Sequence, residues 1–315
     1  MFCGVEKIAL TFWRRVFRVL NDSLHFSPFD IHPFLAYQGE EFAHVMTLAD
    51  VSTNERQSYI RNFERFMFTR DPYERLFSAY IDKLYFPNGN YWQSLGGYIV
   101  KLYRKPFNPP YKVCGHNVTF KELAQFVIDN QKSLYYRDNH LIPIYEHCRP
   151  CDMNYTFVGR LENFRNDANF ILHKIGAERI SNVIQNNRSA VIFDLFVQDV
   201  YFLFYFRSEV STCMNFYQSL QRFWNVMRIR GLIDNNIYMP FTEETSISLT
   251  QEDLLRALLE ASRNISKIKS RHYRKQIMKE AYMTLTTSMR NELRTIFQPD
   301  CDIFGYDCTP EYIFS

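Results

Sequence analysis

Apolar and polar residues recur with two different periods along this chain, and the change of period divides it. In the first 175 residues, short apolar runs precede stretches of helical spacing. Phe2 to Ile8 predicts a strand, followed by a helix over Thr11 to Leu20 with apolar positions Phe12, Val16, Phe17, Val19 and Leu20. Residues 21–50 hold Pro28 and Pro33 and few periodic apolar positions, which predicts loop with short elements. Ser58 to Phe66 reads as helix and feeds a strand at Phe66-Met67-Phe68-Thr69, after which Pro72 opens another helix. Thr119 and Glu122 have capping-box spacing, in which each side chain satisfies the other's backbone N–H, so a helix is expected from Phe120 to Asn130. Asn154 to Val158 alternates like a strand, Gly159 is expected to break it, and Leu161 to Lys174 is helical again. Strands followed by helices predict an α/β fold on a parallel sheet flanked by helices.

From 176 to 295 helical periodicity dominates, giving a helix-rich C-terminal half. Ser248 to Asp253 opens a helix through Ala261, and Ser270 to Leu293 reads as one long helix. Val191 to Phe206 is the most apolar stretch, but Asp194, Gln198 and Asp199 interrupt it. It falls short of the roughly 20 residues that span a bilayer and reads as a buried helix. Between 86 and 116 the breakers Pro87, Asn88-Gly89, Gly96-Gly97, Pro106 and Pro109-Pro110 predict a long irregular surface excursion, suited to binding an acceptor.

At 315 residues, with 46% hydrophobic and 17% aromatic residues, the chain is globular and large enough for one α/β domain or two. A net charge of +3 does not call for a nucleic-acid partner. Basic residues cluster at Arg14, Arg15 and Arg18 and again at Lys267, Lys269, Arg271, Arg274 and Lys275. The second cluster suits either a polyanionic glycan or a solvated helix face.

Seven cysteines leave at least one unpaired within the chain. Cys148-Arg-Pro-Cys151 has redox or zinc spacing, but no second such pair follows, so no metal is expected. Cys301 and Cys308 are close enough in sequence to staple a turn. Five Asn-x-Ser/Thr sequons, at Asn21, Asn117, Asn154, Asn187 and Asn264, fit a secretory compartment where disulfides persist.

Two strand–helix junctions suit anion binding. Arg70 ends a strand, and Ser78 lies eight residues on, in the helix that Pro72 opens. A helix N-terminus and a planar guanidinium both attract phosphate. Cys3 to Val16 is the second junction, with Lys7 and Thr11 where a strand turns into a helix. No GxxxxGK[ST] occurs, which excludes a P-loop kinase. A histidine suits general-base work because its ordinary pKa lies near neutrality, and both His140 and His147 are present here.

The wording of these segments resembles the Golgi carbohydrate sulfotransferases, in the branch of the HNK-1 and chondroitin or dermatan 4-O-sulfotransferases. Arg70-Asp-Pro-Tyr-Glu-Arg-Leu-Phe-Ser-Ala-Tyr80 is similar to that family's 3′-phosphate motif. The resemblance implies that Arg70 and Ser78 hold the 3′-phosphate of the donor PAPS. The segment from Cys3 to Val16 resembles the family's 5′-phosphosulfate loop at Cys3, Val5, Lys7, Thr11, Trp13 and Arg15. Ala9, Leu10, Thr11, Phe12 and Trp13 are then implied to line the donor with Lys7, which would stabilise the leaving group. Glu6 stands where the family has proline, Leu10 where it has a small polar residue, and Phe12 where it has asparagine.

The third segment, His140 to Glu162, is similar to the family's signature at His140, Pro143, Cys148, Pro150, Cys151, Tyr155, Phe157, Val158, Gly159 and Glu162, and its place there implies His140, ahead of His147, as the base for the acceptor hydroxyl. Asp302 to Tyr306 is similar to its closing motif. The resemblance implies a single domain with a P-loop-like sheet. Residues 1–175 would be its nucleotide-binding core, about 176–280 an unmatched helical region, and 281–315 the closing segment. It further implies a Golgi enzyme acting on a glycan hydroxyl, held to the membrane by an N-terminal anchor that is expected to be missing from this chain. The alternative is an impaired relative that binds a glycan or a partner protein, favoured by Glu6, Leu10 and Phe12.

Overall fold

The computed structural model describes residues 1–21, 27–36, 48, 50–104, 114–133, 136–186, 188–263 and 265–315. The sequons at Asn187 and Asn264 and the prolines at 106, 109 and 110 lie outside the described residues. The fold is α/β, and the described residues divide into two compact units. The first comprises Met1–Arg75, Asp138–Gln198 and Asp302–Gly305; the second comprises Leu76–Arg137, Asp199–Cys301 and Tyr306–Ser315.

The first unit is built on a parallel sheet of three strands in the order β1 (Phe2–Cys3), β2 (Phe66–Thr69), β3 (Phe157–Arg160). Phe66 is in register with both Phe2 and Phe157, so the C-terminal ends of all three strands fall at one edge. The central strand is buried at every position and apolar at all but Thr69, as expected where both faces are covered. Helix α1 (Leu10–Asn21) follows β1, α2 (Thr53–Asn62) precedes β2, and α3 (Pro72–Tyr80) follows it. Trp13 of α1 is fully buried, its ring 4.8 Å from Phe66 and 5.5 Å from Phe68.

Arg15, on the same helix, donates two hydrogen bonds to Asp194 at 2.8 and 2.7 Å and a third to the Ile31 carbonyl at 3.0 Å. Its side chain is 2% exposed. Removing one partner of such a buried pair typically costs about 3–5 kcal/mol. Asp194 thus interrupts an apolar run in order to neutralise a buried arginine.

Three expectations for this unit are corrected. The first strand ends at Cys3 and not Ile8, because Lys7 and Ala9 take positive φ (67° and 55°), which extended backbone cannot accommodate. The second helix starts at Thr53 and not Ser58, nucleated by a capping box between Ser52 and Glu55. Gly159 does not break β3 but sits inside it. A Cβ there would lie 2.5 Å from a ring carbon of Phe68, so close approach of two strands selects the glycine.

The second unit is helical. The stretch predicted as irregular from 86 is helical from Gly89 to Tyr103. Asn88 caps the start by accepting the Tyr91 N–H at 3.2 Å, and Gly96 is a point of close packing, since a Cβ there would lie 2.9 Å from the Gly115 carbonyl. The long helix expected over 270–293 is two, Lys267–Met283 and Thr287–Phe304, because Thr286 caps a new start by accepting the Met289 N–H at 3.2 Å. Arg230 bridges Asp199 at 2.5 Å and Asp82 at 2.7 Å, so the second acidic interruption of the apolar run also has a cationic partner, half-buried beside it. No described helix is long and apolar enough to cross a membrane.

Three disulfides form. Cys3–Cys148 ties the end of β1 to the segment after His140, Cys114–Cys213 lies in the second unit, and Cys301–Cys308 staples the tail turn. Cys148 therefore does not pair within its CxxC, and Cys151 is a free, exposed thiol.

Candidate active site

The sequence candidates of the first unit collect at the C-terminal edge of the sheet, where a parallel sheet presents its loops to ligands. Chain reversal directly after β1 forces the 6–9 turn, with two non-glycine residues in the left-handed region. Such conformations cost about 1–3 kcal/mol each and cluster at functional sites. The turn delivers the chain into α1, where Trp13 N–H bonds back along the helix onto the Ala9 carbonyl at 3.1 Å. Helix geometry places the N–H groups of Ala9 to Phe12 ahead of that bond, at the positive end of the helix dipole.

The side chains of this loop divide. Leu10 is buried against Gly4, Phe12 packs edge-on to Phe164 at 5.3 Å, and Trp13 is core. Leu10 and Trp13 can meet a ligand only through backbone, which every residue type but proline supplies alike, while Phe12 is half-buried. Lys7 and Thr11 are half-buried. Glu6 buries its Oε2 without a hydrogen-bond partner, while its backbone carbonyl is engaged.

Arg70 follows β2 directly. Its Nη1 donates to the Lys7 carbonyl at 3.1 Å and its Nη2 reaches Glu74 at 3.5 Å, so the two anion-friendly junctions are in contact. Ser78 lies two turns into α3, half-buried, in the second unit.

Arg75 is the residue that sequence reasoning missed. It is buried at 4% exposure and spends donors on three carbonyls: Glu6 at 3.1 Å, Ile142 at 2.7 Å and Asn139 at 2.6 Å. One guanidinium thus clamps the Lys7 turn to the backbone on either side of His140. Two further ties act in parallel, the Cys3–Cys148 disulfide and His147, whose Nε2 donates to the Gly4 carbonyl at 2.9 Å. His147 is thereby a structural tether.

His140 is one half of a dyad that sequence reasoning did not find. Asp138 Oδ1 accepts from His140 Nδ1 at 2.7 Å and from the His140 backbone N–H at 2.8 Å. The carboxylate fixes the tautomer with the proton on Nδ1, leaving Nε2 as the basic nitrogen. The Asp-x-His spacing was the available signal. Tyr155 donates to the Cys148 carbonyl at 2.9 Å, and burial pushes its pKa up to about 12, so it serves as a donor and not as a base.

The ends of β2 and β3 are tied by Glu162, which accepts the Asp71 N–H at 3.0 Å. Asp71 caps α3 by accepting the Glu74 N–H at 2.9 Å. Burial raises the Asp71 pKa to about 6, and the carboxylates of Glu74 and Glu162 push it the same way against the capping hydrogen bond. Arg160, at the end of β3, donates to the carbonyls of Phe304 and Gly305, which brings the closing motif into this unit. Among the described residues, Cys114, His116 and Cys213 cluster within 4.8 Å, but the two sulfurs are bonded to each other and do not offer thiolates to a metal.

Comparison with known proteins gives the chain a family. The sequence profile of the Sulfotransferase family matches residues 1–194, which include both strand–helix junctions, the His140 segment and all three strands. The chain belongs to the Sulfotransferase family. The match ends at Asp194, the partner of Arg15. Carbohydrate sulfotransferase 14 of Danio rerio is 33% identical over 177 residues, covering 56% of this chain and 46% of that protein. Carbohydrate sulfotransferase 9 of Homo sapiens is 32% identical over 179 residues, covering 57% and 39%. Carbohydrate sulfotransferase 11 of Rattus norvegicus is 30% identical over 180 residues, covering 56% and 50%. These matches span half or less of the length of the curated relatives. No solved structure matches this sulfotransferase-family chain at a significant level.

Proposed function

We propose that this chain is a carbohydrate O-sulfotransferase that moves a sulfuryl group from PAPS to a hydroxyl of a glycan, in the Golgi lumen. The observation that carries the reading is the contact of Arg70 with the Lys7 carbonyl, which joins the two junctions suited to a doubly phosphorylated donor. Three features of the turn fit such a donor: the left-handed residues at 7 and 9, the helix start behind them, and a guanidinium at the rim. PAPS supplies the sulfuryl group when bound. Lys7 offsets charge on the phosphate that departs, and backbone N–H groups from Ala9 to Phe12 with the Thr11 hydroxyl orient it. Arg70 holds the 3′-phosphate.

His140 Nε2 takes the proton of the acceptor hydroxyl as the sulfur–oxygen bond forms, and the Asp138 carboxylate stabilises the imidazolium that results. Catalysis of this kind rests on positioning and charge, so the clamp through Arg75 bears on rate as much as on fold.

A second reading, a relative that binds without turning over, is favoured by the unpaired Oε2 of Glu6 beside the turn. A carboxylate there opposes a polyanionic donor. Calorimetric titration with PAPS and with its desulfated product separates the two. Micromolar binding together with sulfate transfer to a panel of chondroitin, dermatan and glucuronyl-capped glycans supports the enzyme; folded protein that binds neither nucleotide rejects it.

A further inference from the structure

The helix Lys267–Met283 carries its charges against the rules that stabilise a helix by itself. Its first turn holds no acidic residue and contains Lys269, although the partial positive charge of a helix N-terminus favours acids there. Arg271, Lys275 and Lys279 follow at four-residue spacing. At about 1.5 Å per residue they form a stripe roughly 12 Å long. Like charges at that spacing repel by roughly 0.2–0.5 kcal/mol a pair. All four cations are exposed, as is His272 beside them.

None of Lys269, Arg271, Lys275 and Lys279 has an ion-pair partner among the described residues. Glu280, the acidic residue of this helix, takes a hydrogen bond from Gln276 at 3.0 Å instead. The preceding helix, Gln251–Ala261, is the contrast, since its Arg256 lies 3.2 Å from Glu252 and 3.6 Å from Asp253. Cations that cost local stability and gain no internal partner are placed for an external one.

We infer that this stripe is a docking surface for a linear polyanionic glycan. Binding relieves the repulsion along the stripe and releases counterions from both surfaces. A glycan fits better than a nucleic acid, because three disulfides place the fold in an oxidising compartment. The surface lies outside the 1–194 span that matches the family. It narrows the acceptor of the proposed reaction to acidic chains; that narrowing rests on the sulfotransferase reading, whereas the surface itself does not.

The test uses the whole chain without PAPS, titrated with chondroitin sulfate oligosaccharides of defined length and with uncharged dextran of similar size. The sulfated chain is expected to bind, with affinity falling steeply as salt rises, while dextran does not. A variant combining Arg271→Ala, Lys275→Ala and Lys279→Ala is expected to lose at least tenfold in affinity, to flatten the salt dependence and to leave PAPS binding unchanged. These positions are exposed and alanine favours helix, so the variant should fold as the parent does. Parental glycan affinity in the triple variant overturns the proposal, and so does tighter binding of a single-stranded DNA of equal charge. PAPS titration reports separately on the transfer reaction, so the two readings fail independently.

Discussion

Arg70 donates to the backbone carbonyl of Lys7 at 3.1 Å, so the arginine that ends β2 is anchored on the turn that follows β1. The contact orients a planar fork at the edge where the 3′-phosphate is proposed to lie. Arg70→Ala removes both the charge and the anchor. Charge-assisted hydrogen bonds are worth about 1.5–3 kcal/mol each, so PAPS affinity is expected to fall by more than a hundredfold. Arg70→Lys keeps the charge but not the fork and is expected to recover only part of the loss. Calorimetry on the three proteins measures both; equal affinities in parent and alanine variant reject the assignment.

The Asp138–His140 pair makes a prediction of another kind. Asp138→Asn preserves shape but removes the charge that holds the proton on Nδ1. Turnover is expected to fall by roughly 10²–10⁴, the scale of general-base catalysis, with PAPS affinity unchanged. Nitrogen-15 NMR of labelled histidine reads the tautomer directly, and the variant should shift the His140 ring toward protonation on Nε2. His140→Ala should likewise spare donor binding and abolish transfer. Normal turnover in either variant removes His140 from the mechanism.

Arg75→Met leaves the carbonyls of Glu6, Asn139 and Ile142 without their donor. Unsatisfied buried groups cost about 1–3 kcal/mol each, so a loss of at least about 3 kcal/mol in unfolding free energy is expected by chemical denaturation. Glu74→Ala, one position away and partly exposed, should change stability by less than about 1 kcal/mol. Similar effects from the two substitutions would show that Arg75 is not a clamp.

What the sequence revealed and what it hid follow from the range of each interaction. β2 and the Thr119 cap were legible because apolar runs and capping boxes are local. Arg75 gave no signal of its role, because its acceptors are backbone carbonyls more than sixty residues away, which leave no mark in composition. Gly159 looked like a strand breaker for the same reason: the Phe68 ring that excludes a side chain belongs to another strand. Asp194 and Asp199 looked like flaws in an apolar run until their arginines, Arg15 and Arg230, were in place. Glycines at 89 and 96 misled in the opposite sense, since one follows a helix cap and the other packs against Gly115.

The raised pKa of Asp71 gives a stability prediction whose sign is fixed. Its folded value is about 6 against an ordinary 3.8, so the folded state holds the proton more tightly. The stabilisation this brings is fully present below pH 3.8, fades between there and about 6, and is absent above. Above pH 6 the native state therefore carries a poorly solvated carboxylate beside Glu74 and Glu162. Asp71→Asn keeps a capping acceptor for the Glu74 N–H and discards the charge. At about 1.36 kcal/mol for each tenfold change in proton affinity, the cost of that carboxylate is roughly 3 kcal/mol, reduced by the residue's partial exposure to about 1–2 kcal/mol. Urea denaturation at pH 8 should show the variant more stable than the parent by that amount, and near pH 3.5 the two should coincide. A variant less stable at both pH values would mean that the carboxylate is held by a cation and not strained by burial.

Glu6 offers the sharpest discrimination between a working and an impaired donor site. Its Oε2 is buried without a hydrogen-bond partner at the turn that leads into α1, where a donor phosphate is proposed to lie. Like charges at such a site oppose each other, whereas an amide at the same position offers an N–H to a phosphate oxygen. Glu6→Gln is therefore expected to raise PAPS affinity by about tenfold, equivalent to about 1.4 kcal/mol. The Arg75 contact is made to the Glu6 backbone and survives the change, so the turn should hold its shape. If the parent transfers sulfate slowly and the variant transfers it faster at subsaturating PAPS, the carboxylate limits donor binding alone. If the variant binds PAPS tenfold more tightly and still transfers nothing, the defect lies downstream at His140 and the binding-protein reading gains ground. Unchanged affinity would mean that the Glu6 carboxylate points away from the donor and that the turn tolerates it.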